Sequence, residues 1–179
     1  MSATHPIIAV TGSSGAGTTS VMRTFEQIFR RERVTAAFIE GDSFHRYDRA
    51  TMKQRMADAL SRGEHRFSHF GPDANLFEEL EDLFSNYGLT GRGKRRKYLH
   101  DEQEAARHNA EPGTFTEWEE LPDDTDVLFY EGLHGAVACG EVDVARHVDL
   151  LIGVVPVINL EWIQSCTGTS RRAATPPKR

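Results

Sequence analysis

Four short apolar runs set the rhythm of the chain: Pro6–Thr11, Val34–Glu40, Asp126–Glu131 and Val148–Val155. Their apolar residues are nearly continuous, as in strands buried on both faces of a parallel sheet. Between them the period lengthens to that of helices. Val21–Arg31 places Val21, Phe25, Ile28 and Phe29 on one helical face, and Arg49–Arg62 is helical in pattern. Asp73–Tyr87 is amphipathic, with Leu76, Phe77, Leu80, Leu83 and Phe84 on its core side. Pro156–Gln164 opens a further helix, because proline suits a first helical turn. Phe67–Asp73 reads as a loop, Gly88–Gly93 as a glycine-rich link, and Lys94–His100 as extended or hairpin-like. Glu111-Pro112-Gly113 marks a turn, and Phe115–Leu121 is irregular and acidic. Strands alternating with helices predict an α/β fold with a parallel sheet, without internal repeats or coiled-coil heptads.

The first apolar run ends in a glycine-rich turn, Gly12-Ser13-Ser14-Gly15-Ala16-Gly17-Thr18-Thr19-Ser20, and a helix follows. Glycines let the backbone curl until its N–H groups point inward at an anion, and the positive end of the next helix faces the same anion. The spacing Gly12-x4-Gly17-x-Thr19 is that of a Walker A loop, with Thr19 placed to reach a metal ion. Thr18 stands where that pattern has lysine. A cation must therefore reach the phosphates from elsewhere, or the site is weak. A ligand-free Gly/Ser turn is the plainer alternative, but the strand before it and the helix after it are the context the motif demands.

Ligands of such arrays sit at the carboxyl ends of the strands. Asp42 follows the second strand, and His45, Arg46, Arg49 and Lys53 come soon after. Asp42 would accept a proton from an acceptor hydroxyl while the cations hold that acceptor's phosphate. Position alone also suits a turn or capping aspartate, and the cations also suit a solvated helix face. Glu131 ends the third strand and occupies the Walker B role, beside a magnesium ion or its water shell. In Arg92–Lys97, a dense basic knot, solvated charge competes with a phosphate-binding face completed by Tyr98 and His100.

Composition narrows the class. A net charge of −6 argues against general nucleic-acid binding, and no apolar run approaches the roughly 20 residues of a membrane span. The N-terminus lacks a signal-peptide pattern, and two cysteines, Cys139 and Cys166, give no disulfide framework, which fits a reducing cytoplasm. Neither a zinc-type ligand spacing nor a Ser–His–Asp order is apparent.

Taken together, Gly12–Thr19, Glu40–Arg46, Phe67–Phe70, Tyr98–Asp101, Phe129–Gly135 and Pro156–Gln164 resemble the bacterial phosphoribulokinases of the Calvin cycle. The likeness runs almost continuously over residues 1–164, including threonine in the Walker lysine position. It implies a three-layer P-loop kinase-like α/β sheet with helices on both faces, incomplete at the C-terminus. It implies transfer of the γ-phosphate of ATP, with Mg²⁺, to the 1-hydroxyl of D-ribulose 5-phosphate. Asp42 matches the family's catalytic base and Glu131 its Walker B acid. His45, Arg49, Lys53, Tyr98 and His100 fall at or near its sugar-phosphate positions. Arg31 matches a position tied to activation by NADH. Bacterial members are homo-oligomers, often octamers, activated by NADH and inhibited by AMP. Ala16 stands where chloroplast members carry a redox cysteine, so thioredoxin control is not expected. A uridine-kinase-like P-loop kinase shares the loop and the aspartate after strand two. A nucleotide-binding fragment without turnover is the alternative of another class.

The resemblance stops after Gln164. Residues 165–179 carry Arg171, Arg172, Lys178 and Arg179 and no acid, an aberrant basic tail where the family continues with a Lys-x-His-Arg-Asp segment. A back-translation of the tail, read one base earlier, gives Lys-Leu-His-Arg-Asp-Lys-Pro-Pro-Arg-Gly-Tyr-Thr-Thr-Glu-Ala, which is similar to that continuation. The tail is therefore expected to be a shifted reading frame. With it would go a lid cation able to replace the missing Walker lysine, and phosphoryl transfer can lose on the order of 10³-fold without such a charge. Weak turnover and poor solubility of the 179-residue form are expected with it, since the loss of later strands that would cover the sheet leaves edge and apolar surface exposed. Sequencing the gene across codon 164 is predicted to reveal the shift; independent reads that keep the tail in frame would contradict it.

Overall fold

The computed structural model describes residues 4–13 and 15–155. In chain order they form β1 (Ile7–Gly12), α1 (Thr18–Glu32), β2 (Ala36–Glu40), a 3₁₀ turn at Gly41–Phe44, and α2 (Arg49–Ser61). A 3₁₀ turn at Pro72–Ala74 precedes α3 (Phe77–Thr90), β3 (Lys94–Arg95), α4 (Glu102–Arg107) and β4 (Glu119–Glu120). β5 (Val127–Gly132), β6 (Ala138–Cys139), β7 (Val142–Asp143), a 3₁₀ turn at Val144–His147 and β8 (Leu150–Val154) follow. The four expected strands form one parallel sheet in the order β2-β5-β1-β8. β3 pairs with β4 and β6 with β7 as short antiparallel ribbons.

Both faces of the sheet are covered, which is why its strands read as continuous apolar runs. Ile7, Ala9, Ala37, Ile39, Leu128 and Tyr130 face α3, where Leu80, Leu83, Phe84 and Tyr87 complete one core. Their neighbours Val10, Val127 and Phe129, with Ile8, Phe38 and Ile152, face α1 and its Phe25 and Phe29. Phe129 anchors that second core, with ring centroids 4.9 Å from Phe25, 5.8 Å from Phe29 and 5.6 Å from Phe38. Burying one such side chain contributes about 1.5–3 kcal/mol. This is the expected three-layer arrangement. At the amino ends of the strands, Asp149 accepts from the N–H of Ile7 (2.8 Å) and Asp126 from that of Thr35 (2.7 Å).

Several boundaries differ from the sequence pattern. α1 starts at Thr18 rather than Val21, because Gly17 adopts a left-handed conformation (φ 96°) that turns the loop directly into the helix. Ile28 is exposed on α1, and Met22 packs against the core in its company of Val21 and Phe25. The helix expected over Asp73–Tyr87 is split. Pro72–Ala74 is a separate turn, α3 begins at Phe77, and it runs on to Thr90 until Gly91 (φ 70°) ends it. Gly88 is therefore helical rather than part of a link. α4 was not anticipated, although Asp101 caps it by accepting from the N–H of Glu104 at 2.9 Å, the short-range pattern of a helix start. The hairpin-like character of Lys94–His100 is real: β3 pairs with β4, and Tyr98 bridges to Phe115. The helix expected over Pro156–Gln164 and the tail 165–179 lie outside the described residues.

The turn after β2 lies hard against the end of β5. A Cβ on Gly41 would fall on the Tyr130 hydroxyl and within 3.0 Å of Gly132 Cα, and one on Gly132 within 2.8 Å of Gly41 Cα. Only two glycines allow these backbones to approach so closely. Gly41→Ala is predicted to destabilise the protein by about 1–3 kcal/mol in urea denaturation. Gly153→Ala, which meets open space, should stay within about 0.5 kcal/mol of wild type. Equal effects would contradict the close-approach argument.

Candidate active site

The loop Gly12–Ser20 leaves the sheet at the carboxyl end of β1, between the ends of β5 and β8. Gly12 pairs with Val154, Thr11 with Gly132, and Val10 with Glu131. Gly15 and Gly17 hold φ values of 85° and 96°, and the N–H of Ala16 closes a turn onto the Ser13 carbonyl at 2.9 Å. Gly12 is needed because a Cβ there would strike the Val154 carbonyl oxygen at 2.7 Å. Ser14 lies outside the described residues. The first turn of α1 has no side-chain cap and no acidic residue, so no carboxylate of its own competes with an anion for its positive end. Thr19 and Ser20 are exposed on that turn, whereas the Thr18 methyl packs toward the base of the loop, about where a Cβ of Gly12 would be.

Glu131 stands one strand from the loop, flanked by Val10 of β1 and Glu40 of β2 in the same register. Burial raises the pKa of Glu40, an effect that His100 and Lys97 oppose and Glu131 reinforces. Among the described residues no three His, Cys, Asp or Glu side chains are arranged as a metal cage. Mg²⁺ asks for less: it is typically held by one or two protein oxygens plus phosphate and water, and Thr19 with Glu131 fit that donor set.

Asp42 sits in the turn after β2, and its carboxylate meets two imidazoles. His45 Nε2 lies 3.5 Å from Oδ1, and His100 Nε2 lies 3.7 Å from Oδ2. The bond from His45 holds the Asp42 carboxyl below the usual carboxylate range, against a smaller opposing effect of burial. Burial alone would lower the His45 pKa, but its bonds to Asp42 and Asn75 together raise it. Tyr98 closes the ring of contacts, edge-on to His45 (6.0 Å between centroids) and to His100 (4.9 Å). Arg49, the first residue of α2, reaches over the Tyr98 ring at 5.8 Å and donates to the His100 carbonyl at 2.8 Å. Asp42, His45, Arg49 and Tyr98 line one cavity of about 260 Å³.

The structure therefore gathers Asp42, His45, Arg49, Tyr98 and His100. Lys53 lies one turn beyond Arg49 on α2, exposed and outside the cavity lining. Arg31 is elsewhere: twelve residues along α1 from Thr19, roughly 18 Å by helical rise, it is exposed and paired with Glu32 at 2.8 Å. The same cavity also takes Tyr47, Met52, His69 and Ala74, which sequence reasoning did not single out. His134 follows β5 and contributes charge near Asp42; burial lowers its pKa, and its ring packs edge-on to Phe77 at 4.8 Å.

Arg96 was also missed, inside the basic knot. Its guanidinium lies 3.8 Å from the Phe115 ring centroid and 4.8 Å from that of Trp118. It donates to the carbonyls of Ser43 (2.8 Å) and His45 (2.6 Å), clamping the turn that carries Asp42. Two neighbours in the knot pair across the β3–β4 ribbon, Arg95 with Glu119 (2.9 Å) and Lys94 with Glu120 (3.4 Å). A larger open cleft of about 1190 Å³ runs beside α2. Its charges are mixed, with Arg62 paired to Glu64 at 2.9 Å and Arg46 near Glu78 at 3.8 Å, so it has no net preference for an anion. Among the described residues no helix is long and apolar enough to cross a membrane.

Comparison with known proteins bears on the family and the fold. The family model described as "Phosphoribulokinase / Uridine kinase family" matches residues 7–168. The phosphoribulokinase of Nitrobacter vulgaris is 66% identical over 160 residues, 89% of this chain and 55% of that protein. The chromosomal phosphoribulokinase of Cupriavidus necator is 66% identical over 164 residues, 92% of this chain and 56% of that protein. The solved phosphoribulokinase from Rhodobacter spheroides superposes with a TM-score of 0.81 at 49% identity, over 98% of this chain and 60% of that one. A putative fructose transport system kinase from Silicibacter, at 18% identity and a TM-score of 0.67, shares the fold. The chain spans little more than half the length of the relatives it matches. With nearly its whole described sheet, its phosphate loop and the Asp42 turn inside the matched region, the chain belongs to the phosphoribulokinase / uridine kinase family.

Proposed function

We propose that this chain carries the phosphoryl-transfer machinery of a Calvin-cycle phosphoribulokinase, which moves the γ-phosphate of ATP to the 1-hydroxyl of D-ribulose 5-phosphate. The observation that carries the reading is the placement of Asp42. It lies at the edge of a small cation-lined cavity, on the same carboxyl end of the sheet as the phosphate loop. Identity of about two thirds to proteins named phosphoribulokinase supports the substrate.

In this reading Gly12–Ser20 and the first turn of α1 hold the ATP phosphates through backbone N–H groups. Thr19 and Glu131 would hold Mg²⁺, which supplies charge neutralisation at the transferring phosphate when bound. Asp42 takes the proton of the attacking hydroxyl; its depressed pKa keeps it ionised and ready to accept at neutral pH. Arg49, His45, His100 and Tyr98 orient the sugar and its phosphate, with Lys53 available from the next turn of α2. Arg31, remote and exposed, would belong to a regulatory contact with NADH, in a homo-oligomer of the size its relatives form, in the cytoplasm. The Thr18 position leaves the loop without its own cation, which the segment after Gln164 would supply in the restored frame.

The test is an ADP-release assay on the protein with that frame restored, with ribulose 5-phosphate or uridine as acceptor. Ribulose 5-phosphate should be preferred by at least about 10²-fold in kcat/KM, since a site built around a sugar phosphate leaves its cations unpaired with a neutral nucleoside. Equal use of both acceptors, or preference for uridine, would overturn the substrate assignment.

A further inference from the structure

His45 touches Asp42 through one ring nitrogen and a buried amide through the other. Its Nδ1 lies 2.8 Å from Asn75 Oδ1. Asn75 is 1% exposed, and its orientation is fixed by the amide's other end. Nδ2 donates to the carbonyl of His69 (2.8 Å) and to that of Gly71 (2.8 Å), engaging both of its protons. A flipped amide would set Oδ1 against two carbonyl oxygens, so Oδ1 must face His45. An oxygen that can only accept requires a proton on Nδ1. The neutral ring would then present the lone pair of Nε2 to the Asp42 carboxylate, 3.5 Å away, whereas the cationic ring presents an N–H.

We propose that Asn75 is a positioning residue that keeps a proton on Nδ1 of His45 and so holds the ring as an imidazolium facing Asp42. The consequence for phosphoryl transfer rests on the reading of Asp42 as the base; the protonation state itself does not. A fixed cation beside Asp42 keeps that carboxylate ionised before the acceptor binds, and offers positive charge to the acceptor's phosphate in the same cavity.

Other charges near His45 are accounted for. Arg96, from the segment after β3, opposes a charged ring, and so does any charge on His134 after β5. Tyr98 meets the ring edge-on. His100 competes for the far oxygen of Asp42, not for the same one. Against these stand Asp42 and Asn75, and the directions agree with a raised His45. The backbone keeps the two residues together independently of the side chains. His45 and Asn75 form an antiparallel bridge, with Arg46 N–H donating to the Ala74 carbonyl (2.9 Å) and Leu76 N–H to that of Phe44 (2.8 Å).

The test is side-chain ¹⁵N NMR of the histidines in the ligand-free 179-residue protein as a function of pH, with Asn75→Ala and Asn75→Asp beside wild type. In wild type, His45 should titrate above the ordinary value of about 6.5, and its neutral form should carry the proton on Nδ1. Asn75→Ala should lower that midpoint by about one pH unit. Asn75→Asp retains an acceptor for Nδ1–H while losing both donors to the 69–71 loop, so it should leave the His45 midpoint high. If Asn75 merely holds the loop, the two variants will shift His45 alike. That result overturns the proposal, as does a wild-type neutral form protonated on Nε2, which can be read even if both variants fail to fold. Because no acceptor is present, failure of the substrate assignment leaves this result standing, and failure here leaves the substrate assignment standing.

Discussion

The parallel pairing of β5 with β1 on one side and β2 on the other is the constraint on which the site depends. Its register places Glu131 beside Val10 and Glu40, two residues short of the phosphate loop at Gly12 and one short of the Gly41–Phe44 turn that carries Asp42. A slip of one residue would invert every side chain between the two cores and send Phe129 to the α3 face. The aromatic cluster of Phe25, Phe29, Phe38 and Phe129 makes such a slip costly. The alternation of Leu128 and Tyr130 toward α3 does the same on the other side. Packing thus fixes register, and register fixes where the phosphate loop, Glu131 and Asp42 stand relative to one another.

On that frame the carboxyl edge is closed by contacts that only small residues permit. Gly41 and Gly132 let the turn of β2 rest on the end of β5. Tyr130, wholly buried, accepts from the N–H of His134 at 3.2 Å and ties the segment after β5 into the same corner. Arg96 then holds the Ser43 and His45 carbonyls, just after Asp42, its guanidinium packed against Phe115 and Trp118. A carboxylate on a short turn would otherwise be free to wander. Here its backbone is held by packing below and hydrogen bonds above, so that its carboxylate meets His45 and His100 together.

The sheet was legible because burial on both faces leaves continuous apolar runs, and the glycine loop because its backbone demands leave glycine at fixed spacing. Asp42 and Glu131 were legible as acids at strand ends. Local periodicity went wrong where tertiary packing decides: Ile28 fits the helical stripe of α1 yet points to solvent, and α3 starts only after Asn75 has turned away to its own partners. Asn75 and Arg96 were illegible for a related reason. Their hydrogen bonds reach residues 30 and 53 or 51 positions away, and nothing in their immediate neighbourhood distinguishes an interior clamp from a polar loop residue or one more charge in a basic run. His69 entered the cavity in the same way, through a loop whose fold is set by the Asn75 amide.

The central claim is that Asp42 acts on the acceptor and not merely on the fold. It is tested most directly by Asp42→Asn, with kcat and the KM for ribulose 5-phosphate measured separately in matched preparations that show equal urea midpoints. If Asp42 takes the hydroxyl proton, kcat falls by about 10²–10⁴-fold while KM changes only a few-fold. A kcat within tenfold of wild type, with the loss confined to KM, would contradict the account and leave Asp42 as a binding residue only.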